Sequence, residues 1–286
     1  MSRPHSTHAR ECRDLHTRLL KCTLEVEHSR AYWQRMAAYL ASAASMPTAK
    51  RTTAQRAPTA QQVTAKQAHE AYWFGARGLE RTGILLTNFR ARFDAFPNAL
   101  QALATWADMP PLTRHLICHW HLQLSDPLYR AFTGRYLVDR HQSAPAQVSH
   151  PLVVRWVLEQ GRDRWGMATC IQFASKLLSS AHAAGLVASV RDPRPLTWPK
   201  VDDWALAYLL YLLRAIEIDG DLLRNPYLAS VGLRGDLLEQ RLKRLPGLGF
   251  RRQGDVIDLT WHHADLGAWA EAQFATSIPK RAGVSV

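Results

Sequence analysis

The sequence predicts a mostly α-helical protein: a helical bundle with a winged helix-turn-helix-like element and a small C-terminal β-hairpin. Three observations carry this. Apolar residues recur at spacings of three and four along most of the chain, and no run before residue 150 alternates cleanly with period two. Residues 151–200 read as helix, turn, helix, short strand, basic tip, short strand. Residues 249–252 and 256–261 are strand-like runs on either side of Gln253-Gly254-Asp255, a hairpin signal.

The chain has 286 residues, 47% of them hydrophobic, enough for one large domain or two modest ones. A charged fraction of 21% excludes a wholly disordered chain. The formal charge of +12 points to a polyanionic partner, nucleic acid or an acidic membrane surface. The excess is uneven: net +7 over residues 1–78, +2 over 79–150, +4 over 151–200 and −1 over 201–286. Cys12, Cys22, Cys118 and Cys170 form no CxxC pair, so neither a disulfide scaffold nor a Cys-type zinc site is indicated. Residues 1–18 lack the apolar core of a signal peptide. The most apolar stretch, 204–218, contains Arg214 and is shorter than the roughly 20 residues that span a bilayer. It reads as a core helix. The expectation is a soluble, cytoplasmic protein with no membrane partner.

The elements follow in order. Residues 1–45 read as a basic helical arm: Leu15, Leu19, Cys22, Val26, Trp33, Met36 and Leu40 keep helical spacing over 11–44, with Arg10, Arg13, Arg18, Lys21, Arg30 and Arg35 on one face. Residues 46–64 are rich in Thr, Ala, Gln and Pro and read as a flexible basic linker. The core is expected to begin at residue 65, leaving the arm dispensable for folding. The helical body, 65–150, has helices at 65–75, 84–95, 98–106 and 115–124, the last capped by Thr113, and another beginning at Pro127. Residues 151–200 form the winged segment, with helices at 151–160 and 168–184, a C-cap at Gly185, and strands at 187–190 and 196–198 about a basic tip at 191–194. Residues 201–275 hold helices at 203–216, 235–245 and 264–274 and the hairpin; residues 276–286 read as a disordered tail.

Catalytic motifs are missing. There is no GxxxxGK[ST] phosphate loop, no GxGxxG, no GxSxG and no HExxH. His115 and His119 share a helix face and would need further ligands, such as His262 or His263, to hold a metal. Half-buried histidines near an interface are the simpler reading. Asp219-Gly220-Asp221 lacks the rest of a calcium loop and reads as a plain turn. The ten Trp, at helical spacing, read as core anchors before base-stacking platforms. No enzyme activity, metal or cofactor is expected.

The winged segment is where function is expected. A helix-turn-helix places its second helix in the major groove. That helix would present Thr169, Gln172, Ser175 and Lys176, while Arg162, Arg164, Arg191 and Arg194 would reach phosphates from the turn and the wing. The alternatives are a winged-helix transcriptional regulator reading one operator, and a scaffold that docks proteins without touching DNA.

The runs LLTNFRARFDAFPNALQAL, TRHLICHWHLQLSDPLYRAFTGRYL and MATCIQFASKLLSSAHAAGLV resemble BrxA-like proteins, small helical components of BREX phage-exclusion systems. The resemblance covers residues 72–199 and rests mainly on Leu128–Phe132 and Thr169–Val187. It implies a helical fold with a small winged element, DNA association and no catalytic residues. It also implies partners among defence proteins: an ATPase, a methyltransferase and a phosphatase-like component. The basic arm and the C-terminal hairpin region depart from the family pattern.

Overall fold

The computed structural model describes residues 9–44, 63–75, 78–254 and 256–274. The protein is mostly helical, with two small antiparallel sheets. The expected linker at 46–64 lies outside the described residues apart from Val63 and Thr64, as does the tail from residue 275.

The N-terminal arm is the largest departure from expectation. Instead of one helix over 11–44 there are two, α1 (Arg18–Lys21) and α2 (Val26–Ala44). Between them the chain turns, with Glu25 at φ 51°. The buried Arg92 guanidinium fastens that turn: it donates to the carbonyls of Thr23 at 2.7 Å and Leu24 at 3.3 Å, and to that of Cys22 at 2.6 Å. The arm is therefore not a separate unit. Leu19, Cys22, Leu24, Tyr32, Trp33 and Met36 are all buried in the common core. A buried apolar side chain contributes about 1.5–3 kcal/mol, so this set matters on the scale of the roughly 5–15 kcal/mol that holds an ordinary domain.

Ahead of α1 the chain is also docked. The Cys12 amide donates to the Leu124 carbonyl at 2.8 Å, and the Arg130 guanidinium to the Cys12 carbonyl at 2.8 Å. Glu11 is buried, accepting from the Asp219 amide at 3.1 Å and from the Tyr227 hydroxyl.

In the body, α3 (Ala65–Glu70) is held by a capping box between Thr64 and Gln67. Helix α4 (Leu79–Phe89) runs into a π turn, Arg90–Asp94, whose extra residue brings Arg92 inward. Then come α5 (Ala99–Thr105) and α6 (Pro111–Ser125), the latter buried along most of its length. Helix α6 starts earlier than expected, with Pro111 in its first turn; Thr113 lies inside it and donates to Asp202 rather than capping. Helix α7 (Pro127–Ala131), capped by Asp126, continues through a second π turn, Phe132–Tyr136, into α8 (Leu137–Arg140). Gly134 sits there because a Cβ would come within 2.4 Å of Pro226.

Strand β1 (Gln147–Val148), α9 (His150–Gln160), α10 (Met167–Ala183) and β2 (Arg194–Pro195) form the central segment. Helix α11 (Asp203–Arg214) buries every residue from Ala205 to Leu213, as its apolar run predicts. Helices α12 (Pro226–Ala229) and α13 (Gly235–Leu242) lead to the hairpin of β3 (Leu248–Gln253) and β4 (Val256–Trp261), in register from Leu248 opposite Trp261 to Gln253 opposite Val256. Helix α14 (Leu266–Phe274) closes an aromatic nest in which Trp269 meets Trp106, Tyr208 and Tyr211. Trp33, Trp73, Trp106, Trp120 and Trp269 are core, as expected; Trp198 and Trp204 are exposed.

Candidate nucleic-acid interface

The central segment is built around the two faces of α10. Cys170, Phe173, Ala174, Leu177, Leu178 and Ala181 are buried, so the helix is anchored along its whole length. The opposite stripe, Ala168, Ile171, Gln172, Ser175 and Ser179, is exposed. Gly166 at the N-cap supplies no side-chain cap, so the first amides of α10 have no side-chain acceptor. At the other end Gly185 adopts φ 76°, and the Leu186 amide returns to the Ala181 carbonyl at 2.9 Å, which stops the helix.

The expected hairpin of residues 187–190 with 196–198 is replaced by a smaller arrangement. β2 pairs antiparallel with β1, Val148 opposite Arg194. Val187 meets Leu196 in an isolated bridge, and the Ala188 amide donates to the Pro195 carbonyl at 2.9 Å. Three short segments therefore lie side by side, one ahead of the two helices and two after them. They are short because Pro193 and Pro195 lack amides, which limits the ladder.

Asp192 ties the tip of this loop to the helices. One carboxylate oxygen accepts from the His150 amide, at the start of α9, at 2.7 Å. The other accepts from Arg194 Nε at 2.6 Å. Burial would raise the Asp192 pKa, but the Arg194 and His150 hydrogen bonds outweigh it and hold the carboxyl below its usual range. The His150 ring meets the Ser175 hydroxyl at 3.0 Å. Ser175, His150, Asp192 and Arg194 thus form one connected set.

The eight expected contact residues separate into groups. Gln172 and Ser175 are exposed on α10, with Thr169 and Lys176 half-buried beside them. Arg162 and Arg191 are exposed at the two ends of the surface. Arg194 departs from expectation: its guanidinium is paired with Asp192 and its side chain is only 14% exposed. Arg164 is exposed but donates to the Leu15 carbonyl at 3.2 Å, pinning the N-terminal segment to the turn. Sequence reasoning missed His150 and Asp192. The signal for both was local: a Ser-His-Pro helix start and an Asp inside the basic tip at 191–194.

The histidines of α6 have other work. His119 lies between the Tyr129 and Ser230 hydroxyls, each at 2.9 Å. His121 meets the Arg92 carbonyl and the Tyr208 hydroxyl. Burial pushes both down to about 3, so they are neutral at physiological pH. The His115 ring contacts the Ala183 carbonyl. Among the described residues no group of three or more His, Cys, Asp or Glu is placed to hold a metal ion. Nor is any helix among them long and apolar enough to cross a membrane.

No family model and no curated protein matches the chain. The crystal structure of an uncharacterized protein from Magnetospirillum magneticum is similar in fold, with a TM-score of 0.50 at 14% identity, over 71% of this chain and 98% of that one. That likeness concerns the fold alone.

Proposed function

We propose that this chain is a non-enzymatic protein that binds duplex DNA through a winged helix-turn-helix element formed by residues 147–198. The observation that carries the reading is α10: a helix anchored by one apolar face, presenting a mostly polar stripe, and followed by a short-stranded loop tipped with Arg191. The order helix, strand, helix, turn, helix, isolated bridge at Val187, loop, strand approaches that of winged modules, whose second helix of the pair enters the major groove. Gln172 lies one turn from Ser175 on the stripe and has the amide needed to pair with adenine. Arg162 and Arg191 flank the stripe and serve as phosphate contacts. Resemblance to BrxA-like proteins supports a role for this activity in a BREX-like anti-phage system, beside an ATPase, a methyltransferase and a phosphatase-like protein in the cytoplasm.

The experiment is a salt titration of duplex binding by fluorescence anisotropy. Each phosphate left without its arginine should flatten the log–log salt slope by about 0.9. Arg162→Ala with Arg191→Ala should flatten it by about 1.8 on every sequence. Gln172→Ala should change little, as suits a defence protein that reads any duplex. A large loss confined to one sequence would favour the transcriptional regulator instead.

One observation favours the scaffold reading. Met167, Ile171 and Val190 are 55%, 43% and 62% exposed on or beside the same stripe. Apolar side chains among polar ones suit a protein partner. An unchanged salt slope in the double arginine variant would give that reading the lead.

A further inference from the structure

Outside the winged segment, a cleft of about 430 Å³ opens between the π turn at Phe132–Tyr136, the loop at 219–225 and the start of α13. That volume falls within the roughly 300–1,000 Å³ of small-molecule sites. Three arginines line it, Arg135, Arg224 and Arg234, against one carboxylate, Asp219. Leu223, Pro226 and Ala229 supply an apolar wall.

The walls are fixed by backbone. Gly220, at φ 96°, passes so near the Arg224 carbonyl that a Cβ would come within 2.6 Å of its oxygen. Asn225 accepts from the Leu228 amide at 3.0 Å, and its own amide group donates to the carbonyls of Asp221 at 3.1 Å and Leu222 at 2.9 Å. The cleft is therefore shaped before any ligand arrives.

Two of its arginines have no partner. Arg224 and Arg234 are exposed, and neither guanidinium makes a hydrogen bond or ion pair with a described residue. The acid closest to Arg224 in sequence, Asp221, is occupied by backbone: one oxygen accepts from the Leu223 amide at 2.8 Å and the Arg224 amide at 2.7 Å. Arg135 pairs with Asp219 at 2.9 Å, but the two side chains are 69% and 66% exposed. Exposed pairs of this kind are weak, so Arg135 can turn to an anion in the cleft. The Arg234 charge is felt beyond the cleft, where burial first and then that charge hold the His141 imidazole below its usual pKa.

Three guanidiniums and one carboxylate leave the lining at a net +2. A phosphomonoester carries about 1.5 to 2 negative charges at neutral pH on three acceptor oxygens. The phosphodiester of a nucleic-acid backbone carries a single charge. Guanidinium forks match phosphate oxygens in pairs.

We propose that this cleft binds a small phosphomonoester, with its phosphate held by Arg224, Arg234 and Arg135 and its organic part against Leu223, Pro226 and Ala229. The site is independent of the DNA surface, since none of these residues belongs to the winged segment.

The test titrates the full chain at pH 7.5 with AMP, cyclic AMP and adenosine by calorimetry. The three share a base and a sugar and carry a phosphomonoester, a phosphodiester and no phosphate. AMP should bind more tightly than cyclic AMP by about tenfold or more, and adenosine should give no binding heat. AMP binding no tighter than that of cyclic AMP or of adenosine would overturn the proposal, and this comparison needs no variant. Arg224→Gln with Arg234→Gln should weaken AMP binding by about tenfold or more at an unchanged Tm, since both side chains are exposed. Native AMP affinity in that folded variant would also overturn it. The same variant should keep the salt slope of duplex binding, and Arg162→Ala with Arg191→Ala should keep the affinity for AMP. Displacement of AMP by a duplex with 5′-hydroxyl ends would assign Arg224 and Arg234 to nucleic acid and overturn the small-molecule site, while leaving the DNA reading standing.

Discussion

In residues 9–39, two of the arginines end on the protein itself. Arg13 pairs with Glu217 at 3.0 Å, and Arg18 reaches the Ser125 carbonyl at 3.3 Å. Around them Leu19, Tyr32, Trp33 and Met36 are buried. In residues 147–198, Arg162 and Arg191 project from a turn and a loop tip beside an exposed polar stripe. Both regions are basic in sequence, one in a stretch of net +7 and the other in one of net +4. The contrast teaches that formal charge is a poor footprint for a polyanion. What matters is whether each guanidinium already has an acceptor, and whether its backbone belongs to the core.

Four experiments press on that contrast. Deleting residues 1–64 has the largest expected effect. It strips several fully buried side chains from the core at about 1.5–3 kcal/mol each. The truncated chain should lose its cooperative thermal transition, as calorimetry would show; a sharp transition near the native Tm would mean the N-terminal segment is peripheral after all. Next is Arg92→Ala, which leaves the carbonyls of Cys22, Thr23 and Leu24 without their donor. With a penalty of about 1–3 kcal/mol for an orphaned buried group, we expect a loss of about 3 kcal/mol or more in urea unfolding.

Asp192→Ala addresses the other region. It removes the acceptor at the start of α9 and the partner of Arg194, at about 1 kcal/mol, the scale of a lost cap. Its pH dependence has a definite sign. The folded pKa of Asp192 is depressed, so its contribution is fully present above about 3.9, the value for an unfolded aspartate. It is lost as pH falls from there through the folded value. Acid-unfolding curves of the variant should be shallower across that window. The smallest effect separates the two kinds of arginine. Arg13→Ala should leave the salt slope of DNA binding unchanged, whereas Arg191→Ala should flatten it by about 0.9. Equal slopes in the two variants would erase the distinction.

The long helices were legible because their patterns are strong. The apolar run of α11 and the one-sided pattern of α10 need no tertiary information to be recognised. The two-residue strands β1 and β2 have no period to detect, and their pairing spans 46 positions, from Val148 to Arg194. The break at Glu25 was invisible because its cause, Arg92, lies on another helix. At the candidate interface the stripe of Gln172 and Ser175 was legible from helical spacing. The pairing of Arg194 was not, because it depends on how the loop folds back on Asp192. His16 likewise faces Asp126, which lies more than a hundred residues away in sequence.

Glu11 carries a consequence for how the chain is made. Its partners are Arg130, Asp219 and Tyr227. Glu11 therefore waits for groups synthesised more than a hundred residues later. Long-range closure of this kind is slow, since the entropy of a large loop is lost before the contact rewards it. During synthesis the first segment must stay undocked while the helices from α3 onward form. A ribosome-bound chain whose residue 219 is still inside the exit tunnel should leave the segment around Glu11 open to protease, and one whose residue 227 has left the tunnel should protect it.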